Sequence, residues 1–120
     1  MFENLYKITE CSSEGGNFSF SISLDAAHPI YQVHFPGTPI TPGACQLEIF
    51  RQLASSAQGR DLSVAEVRNI KYLNIIDPLV NGRLSLTESF GEPDGDGRIK
   101  CNVVLSKDGA VFTKAVIIFA

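Results

Sequence analysis

His34-Phe35-Pro36-Gly37-Thr38-Pro39-Ile40-Thr41-Pro42-Gly43 runs directly into Ala44-Cys45-Gln46-Leu47-Glu48 and on to Gln58. Proline fixes φ and pushes the residue before it toward extended backbone, so the first part reads as a rigid, irregular loop. From Ala44 the pattern changes. Ala44, Leu47, Phe50 or Arg51, Ala54 and Ala57 recur at helical spacing, with Leu53 beside them, and Gly59 follows as a C-terminal cap. Ile49 widens the apolar surface, which predicts a helix covered on more than one side. It is the one convincing helix in the chain.

Outward from this helix the chain is strand-rich. Upstream, Phe18, Phe20, Ile22 and Leu24 alternate with serines, a period of two that marks a half-buried strand. Gly15-Gly16 separates it from an earlier strand over Phe2 to Cys11, so the two form a hairpin. Asp25 to Gly43 is a long connection rich in proline. Downstream, Val64 to Ile76, Arg83 to Phe90, Ile99 to Leu105 and Val111 to Phe119 read as strands. Asn81-Gly82 and Asp108-Gly109 supply turn signals between them. The last strand is apolar on both faces near its end, as in a central or interface strand. The expected fold class is therefore α+β, an antiparallel sheet curled around a single helix, in one domain spanning residues 1–120.

Composition narrows the function. The chain is 44% hydrophobic and 19% charged, which is globular rather than disordered. A net charge of −3 disfavours nucleic-acid binding, which needs a basic surface. No apolar run reaches membrane-span length, and no basic stretch leads into an apolar segment near the start, so a cytoplasmic protein is expected. Three cysteines without Cys-x-x-Cys spacing argue against disulfides or zinc, and Cys45 reads as a packed thiol. Asp94 and Asp96 lack a full calcium-ligand pattern and read as a solvated turn.

The quoted stretch carries the chemistry. Histidine titrates near neutrality and suits a general base, here His34. Backbone N–H groups at a helix N-terminus can hold a carbonyl and stabilise an enolate oxygen. Gly43 lets a substrate approach that backbone. Glu48, among Leu47, Ile49 and Ala44, is expected to have its pKa raised by desolvation. Proton abstraction beside a thioester carbonyl needs this set of groups. His28, the other histidine, reads as structural.

The order His-Phe-Pro-Gly-x-Pro-x-x-Pro-Gly from His34 to Gly43 resembles the signature of the β-hydroxyacyl-carrier-protein dehydratases. So does an acidic residue fourteen positions after the histidine, at Glu48, with Gln52 one turn later. Pro29-Ile30-Tyr31 resembles that family's lead-in. The resemblance runs from about Asp25 to the end. It lacks the family's longer N-terminal section, and Val33 stands where glycine is usual, so the chain looks like a short variant.

The resemblance implies the hot-dog fold and dehydration of carrier-protein-bound 3-hydroxyacyl thioesters to trans-2-enoyl thioesters, in fatty-acid or specialised acyl or polyene biosynthesis. It implies His34 and Glu48 as the catalytic pair, meeting across a homodimer interface or within a dimer-based oligomer. Gly43 N–H would hold the thioester carbonyl. Tyr31, Phe35, Pro36, Ile40, Pro42 and Gln52 would contact substrate. No metal or organic cofactor is implied. Arg51, Arg60, Arg68 and Lys71 are candidates for docking an acidic acyl carrier protein. The alternatives are a hot-dog thioesterase using Glu48 to activate water, and a non-catalytic acyl-carrier-binding subunit.

Overall fold

The computed structural model describes residues 3–33, 37 and 39–120. Its elements are β1 (Tyr6–Glu14), β2 (Asn17–Leu24), α1 (Ile30–Val33), α2 (Gly43–Gln58), β3 (Val64–Tyr72), β4 (Arg83–Phe90), β5 (Ile99–Lys107) and β6 (Ala110–Phe119). The strands form one antiparallel sheet in the order β1-β2-β4-β5-β6-β3. This is the expected α+β architecture. The β1 strand begins four residues later than the sequence pattern suggested. It is an edge strand exposed over nearly all its length, so no burial imposes an alternation that would mark its limits. The long connection also contains the short helix α1.

Alternation in β2, β4 and β5 puts one face of the sheet inward. Cross-strand register lines up its side chains in rows. One row runs Phe20, Leu86, Leu105, Thr113 and Tyr72; the next runs Phe18, Glu88, Val103, Ala115 and Ile70. Against this face α2 buries Cys45, Gln46, Ile49, Phe50, Leu53 and Ala54. The buried stripe is thus rotated by about one position from the one expected, and Ala44 is exposed. Phe50 rather than Arg51 faces the core. At the C-terminal end Gly59 takes φ 69°, and its N–H donates to the Ser55 carbonyl, as the cap reading required. Asp108 and Gly109, at φ 51° and 83°, form the tight β5–β6 turn expected of that dipeptide.

Glu88 interrupts this apolar face. It is fully buried, and neither carboxylate oxygen has a hydrogen-bond partner among the described residues. Burial pushes its carboxyl up to about 9, so it is neutral at pH 7. In the unfolded chain the same group ionises above about 4.5. The folded state therefore binds the proton more tightly. Its contribution is complete below pH 4.5 and is lost progressively toward pH 9. Between pH 5 and pH 8 the native protein should lose about 3–4 kcal/mol more stability than Glu88→Gln. Urea unfolding of both proteins across that range checks this; parallel pH dependences would contradict it.

The opposite end of the sheet is open. Strand β3 pairs only with β6, and both of its faces are largely solvent-exposed. Val64, Val67 and Tyr72 on β3, with Leu73 and Ile75 just beyond it, form an exposed apolar run along this edge. Edge strands are usually blunted by charge or bulges, and apolar ones mark places where another chain pairs.

Candidate active site

The N-terminus of α2 is held by a buried polar network. Thr113 Oγ1 donates to Gln46 Oε1 at 2.5 Å, and Gln46 Nε2 donates to the Thr41 carbonyl at 3.2 Å. The Tyr31 and Thr41 hydroxyls share a hydrogen bond of 2.9 Å, and Thr41 N–H donates to the Ile76 carbonyl at 2.9 Å. Four side chains, all nearly inaccessible, thus tie the end of the proline-rich loop to α2 and β6. Gln46→Leu would leave the Thr113 hydroxyl and Thr41 carbonyl unpartnered. Its expected cost is about 1–3 kcal/mol, measured by urea unfolding; an unchanged midpoint would show the network to be dispensable.

Tyr31 is spent in this network and lies in the core, 2% exposed. Ile40, Pro42 and Gly43 line a pocket of about 380 Å³ at the mouth of α2, together with Thr41, Gln46, Tyr72 and residues 73–76. Pro42 occupies the N-cap position and supplies no side-chain cap, so α2 begins with backbone N–H groups that Pro42 leaves uncapped. His34, Phe35 and Pro36, expected to provide the base and part of the substrate contact, lie outside the described residues.

Glu48 sits on the flank of α2, with its side chain 27% exposed. Arg51 Nη2 donates to Oε1 at 2.7 Å, and Arg51 Nε donates to Oε2 at 3.1 Å and to Oε1 at 3.2 Å. Gln52 Nε2 donates to Oε1 at 3.2 Å, and Tyr6 Oη donates to Gln52 Oε1 at 2.9 Å. Tyr6 therefore fixes which way the Gln52 amide faces. Burial, with Glu88 once it ionises at high pH and with the Glu48 charge, pushes the Tyr6 phenol up to about 12, so it stays a donor.

This arrangement corrects the expectation for Glu48. The Arg51 hydrogen bonds hold its carboxyl below the usual range, outweighing desolvation, and Gln52 adds to the effect. Glu48 is an ionised carboxylate, with Oε2 the less occupied oxygen. The i,i+3 spacing of Glu48 and Arg51 was visible in the sequence.

Arg51 also donates to the Leu62 carbonyl and to Asp61, so it is bound into the fold rather than free for docking. Arg60, Arg68 and Lys71 are exposed. His28 is buried, its Nδ1 accepting from Ile30 N–H and its Nε2 facing the Glu3 carbonyl at 2.7 Å, which is the structural role expected. Cys45 is buried and its thiol is pushed up by desolvation. No helix among the described residues is long and apolar enough to cross a membrane.

The ApeI-like family model, described as ApeI dehydratase, matches residues 10–108. No curated protein shows significant sequence similarity to the chain. Among solved structures, the dehydratase heterocomplex ApeI:P from Xenorhabdus doucetiae matches with a TM-score of 0.74 at 16% identity, covering 95% of this chain and 96% of that one. An uncharacterized protein from Erwinia carotovora subsp. atroseptica matches at 0.66 and 18% identity, covering 95% and 92%. A hypothetical thioesterase with coenzyme A from Streptococcus pneumoniae matches at 0.66 and 14%, covering 95% and 83%. At such identities these structures establish the hot-dog fold and nothing finer.

Proposed function

The chain belongs to the ApeI-like dehydratase family, and on that premise we propose that it dehydrates carrier-protein-bound 3-hydroxyacyl thioesters to trans-2-enoyl thioesters. The observation that carries the reading is the pairing of an uncapped helix N-terminus beside a pocket with an ionised, Arg51-oriented carboxylate at Glu48, about one and a half turns along the same helix.

In this reading His34 removes the C2 proton. Gly43 N–H, at the first turn of α2, receives the negative charge that develops on the carbonyl oxygen. The C3–O bond breaks and the hydroxyl leaves as water. Because Glu48 is ionised, it does not supply the proton. It accepts the hydrogen bond of the 3-hydroxyl through Oε2 and orients it. The proton taken from C2 returns from the His34 imidazolium to the departing hydroxyl, so one proton and one hydroxyl leave together. Ile40 and Pro42 line the carbonyl end of the site. Tyr31 acts indirectly, by fixing Thr41.

The apolar edge of β3 is the surface on which a second copy of the chain would pair, bringing His34 of one subunit to Glu48 of the other. Arg60, Arg68 and Lys71 remain the basic residues for an acidic carrier protein, with Arg51 withdrawn. The protein would act in the cytoplasm, in fatty-acid or specialised acyl synthesis.

The test is incubation with 3-hydroxyacyl carrier proteins of several chain lengths, with the enoyl product trapped by an added enoyl reductase. Reduced acyl carrier is expected for at least one length. Thiol release without any enoyl product would favour the thioesterase reading, in which Glu48 activates water. Tight carrier binding with neither product would indicate a binding subunit.

A further inference from the structure

Gly43 is hemmed in by Tyr72. A Cβ added to Gly43 would lie 2.5 Å from the Tyr72 hydroxyl oxygen and 2.7 Å from Cζ. The space a side chain would take is therefore already filled by a phenol, so any larger residue would displace Tyr72. This contact joins residues far apart in sequence. It arises because Tyr72 ends the row Phe20, Leu86, Leu105, Thr113 and Tyr72, in which the neighbouring Thr113 is hydrogen-bonded to Gln46 in the first turn of α2.

Direction matters as much as distance. In a helix the Cα–Cβ bond tilts toward the N-terminus. An oxygen in contact with that Cβ position at Gly43, the first residue of α2, therefore lies close to the helix start, where the first-turn N–H groups emerge. Adding the short legs through the Cβ position puts the hydroxyl within about 5 Å of the Gly43 nitrogen. Two donors so spaced can share one acceptor at ordinary hydrogen-bond length from each.

The hydroxyl is free for that use. It forms no hydrogen bond with another described residue, and Tyr72 lines the same pocket as Ile40, Pro42 and Gly43. Tyr72 is half-exposed, and desolvation pushes its phenol up, so it is an O–H donor at working pH.

Building on the reading that α2 receives the thioester carbonyl, we infer that Tyr72 Oη is a second hydrogen-bond donor to that carbonyl, completing with Gly43 N–H a two-donor oxyanion site. A neutral hydroxyl there stabilises the enolate oxygen without adding a fixed charge. Donors of this kind act on charge that develops in the transition state, so their loss lowers kcat more than it raises KM.

The experiment compares wild type with Tyr72→Phe, which keeps the ring against Gly43 and removes only the oxygen. Two readouts are taken. The first is kcat and KM for dehydration of a 3-hydroxyoctanoyl carrier protein. The second is the infrared carbonyl band of bound octanoyl-pantetheine thioester labelled with carbon-13 at the carbonyl, which lacks the 3-hydroxyl and cannot dehydrate. The expected result is a loss in kcat of about 100-fold with KM within about threefold, and a carbonyl band moved to higher wavenumber in the variant.

A purely structural Tyr72 would move neither readout. If wild type forms enoyl product and Tyr72→Phe matches it in both rate and band position, the second donor is wrong while the dehydratase reading stands. If wild type gives no enoyl product but the band shifts between the two proteins, the donor stands and the reaction is wrong. Absence of both turnover and a bound-carbonyl band overturns both.

Discussion

Turnover of 3-hydroxyacyl carrier protein by His34→Ala should fall by at least about 1,000-fold, with the protein still folded and of unchanged oligomeric state. A positioned general base contributes roughly 100- to 10,000-fold, and in the proposed route His34 is used twice, first to take the C2 proton and then to return it to the leaving hydroxyl. Alanine removes both uses. Steady-state kinetics, with circular dichroism and light scattering as controls for fold and assembly, would decide it. Retention of most of the activity would remove the proposed base, and with it the proton path that the ionised state of Glu48 requires.

Glu48→Gln should lower kcat about 100-fold, because the amide keeps the shape but loses the charge that receives the hydroxyl hydrogen and holds Arg51. The more informative result comes from mixing. His34→Ala and Glu48→Gln subunits, each nearly inactive alone, should complement if the two residues meet across a subunit interface. A heterodimer then has one site with both groups and one with neither. Random exchange at equal amounts makes about half the dimers heterodimers, which predicts roughly a quarter of wild-type activity by counting sites. Verified heterodimers with no recovery would place both residues in one chain's pocket. The exposed apolar edge of β3 is the reason to expect exchange between subunits at all.

Much of this was legible in the sequence where burial imposes a period. The β2, β4 and β5 strands alternate because one face meets α2, and their limits were read closely. The helix was found as well, but its stripe was misplaced by about one position. Small residues such as Ala44 and Ala57 fit either face, so the register of the stripe rested on few large side chains. The structure settles it with Ile49, Phe50 and Leu53 inward. Strand β1, an exposed edge, carries no such constraint.

The site divides the same way. Glu48 and Gln52 were read by spacing, but the Glu48–Arg51 pair was missed although its i,i+3 spacing signals it, and its hydrogen bonds reverse the expected pKa shift. Glu88 occupies the inward phase between Leu86 and Phe90, yet a carboxylate at a core position reads as an outward residue until burial is known. Tyr72 was beyond reach. Its contact with Gly43 depends on the register of β3 against β6 and on the path of α2 over the sheet, neither of which local sequence states. The glycine was read as space for substrate, whereas the structure fills the Cβ position with a phenol.

The central claim is that this site adds and removes water at C3 of an acyl thioester, and the reverse reaction tests it most directly. A trans-2-enoyl carrier protein is incubated with the protein in oxygen-18 water and the acyl group is analysed by mass spectrometry. The account predicts 3-hydroxyacyl product, still attached to its carrier, with one labelled oxygen at C3 and formation abolished in His34→Ala. Label found instead in a released carboxylic acid, with none at C3, would contradict it.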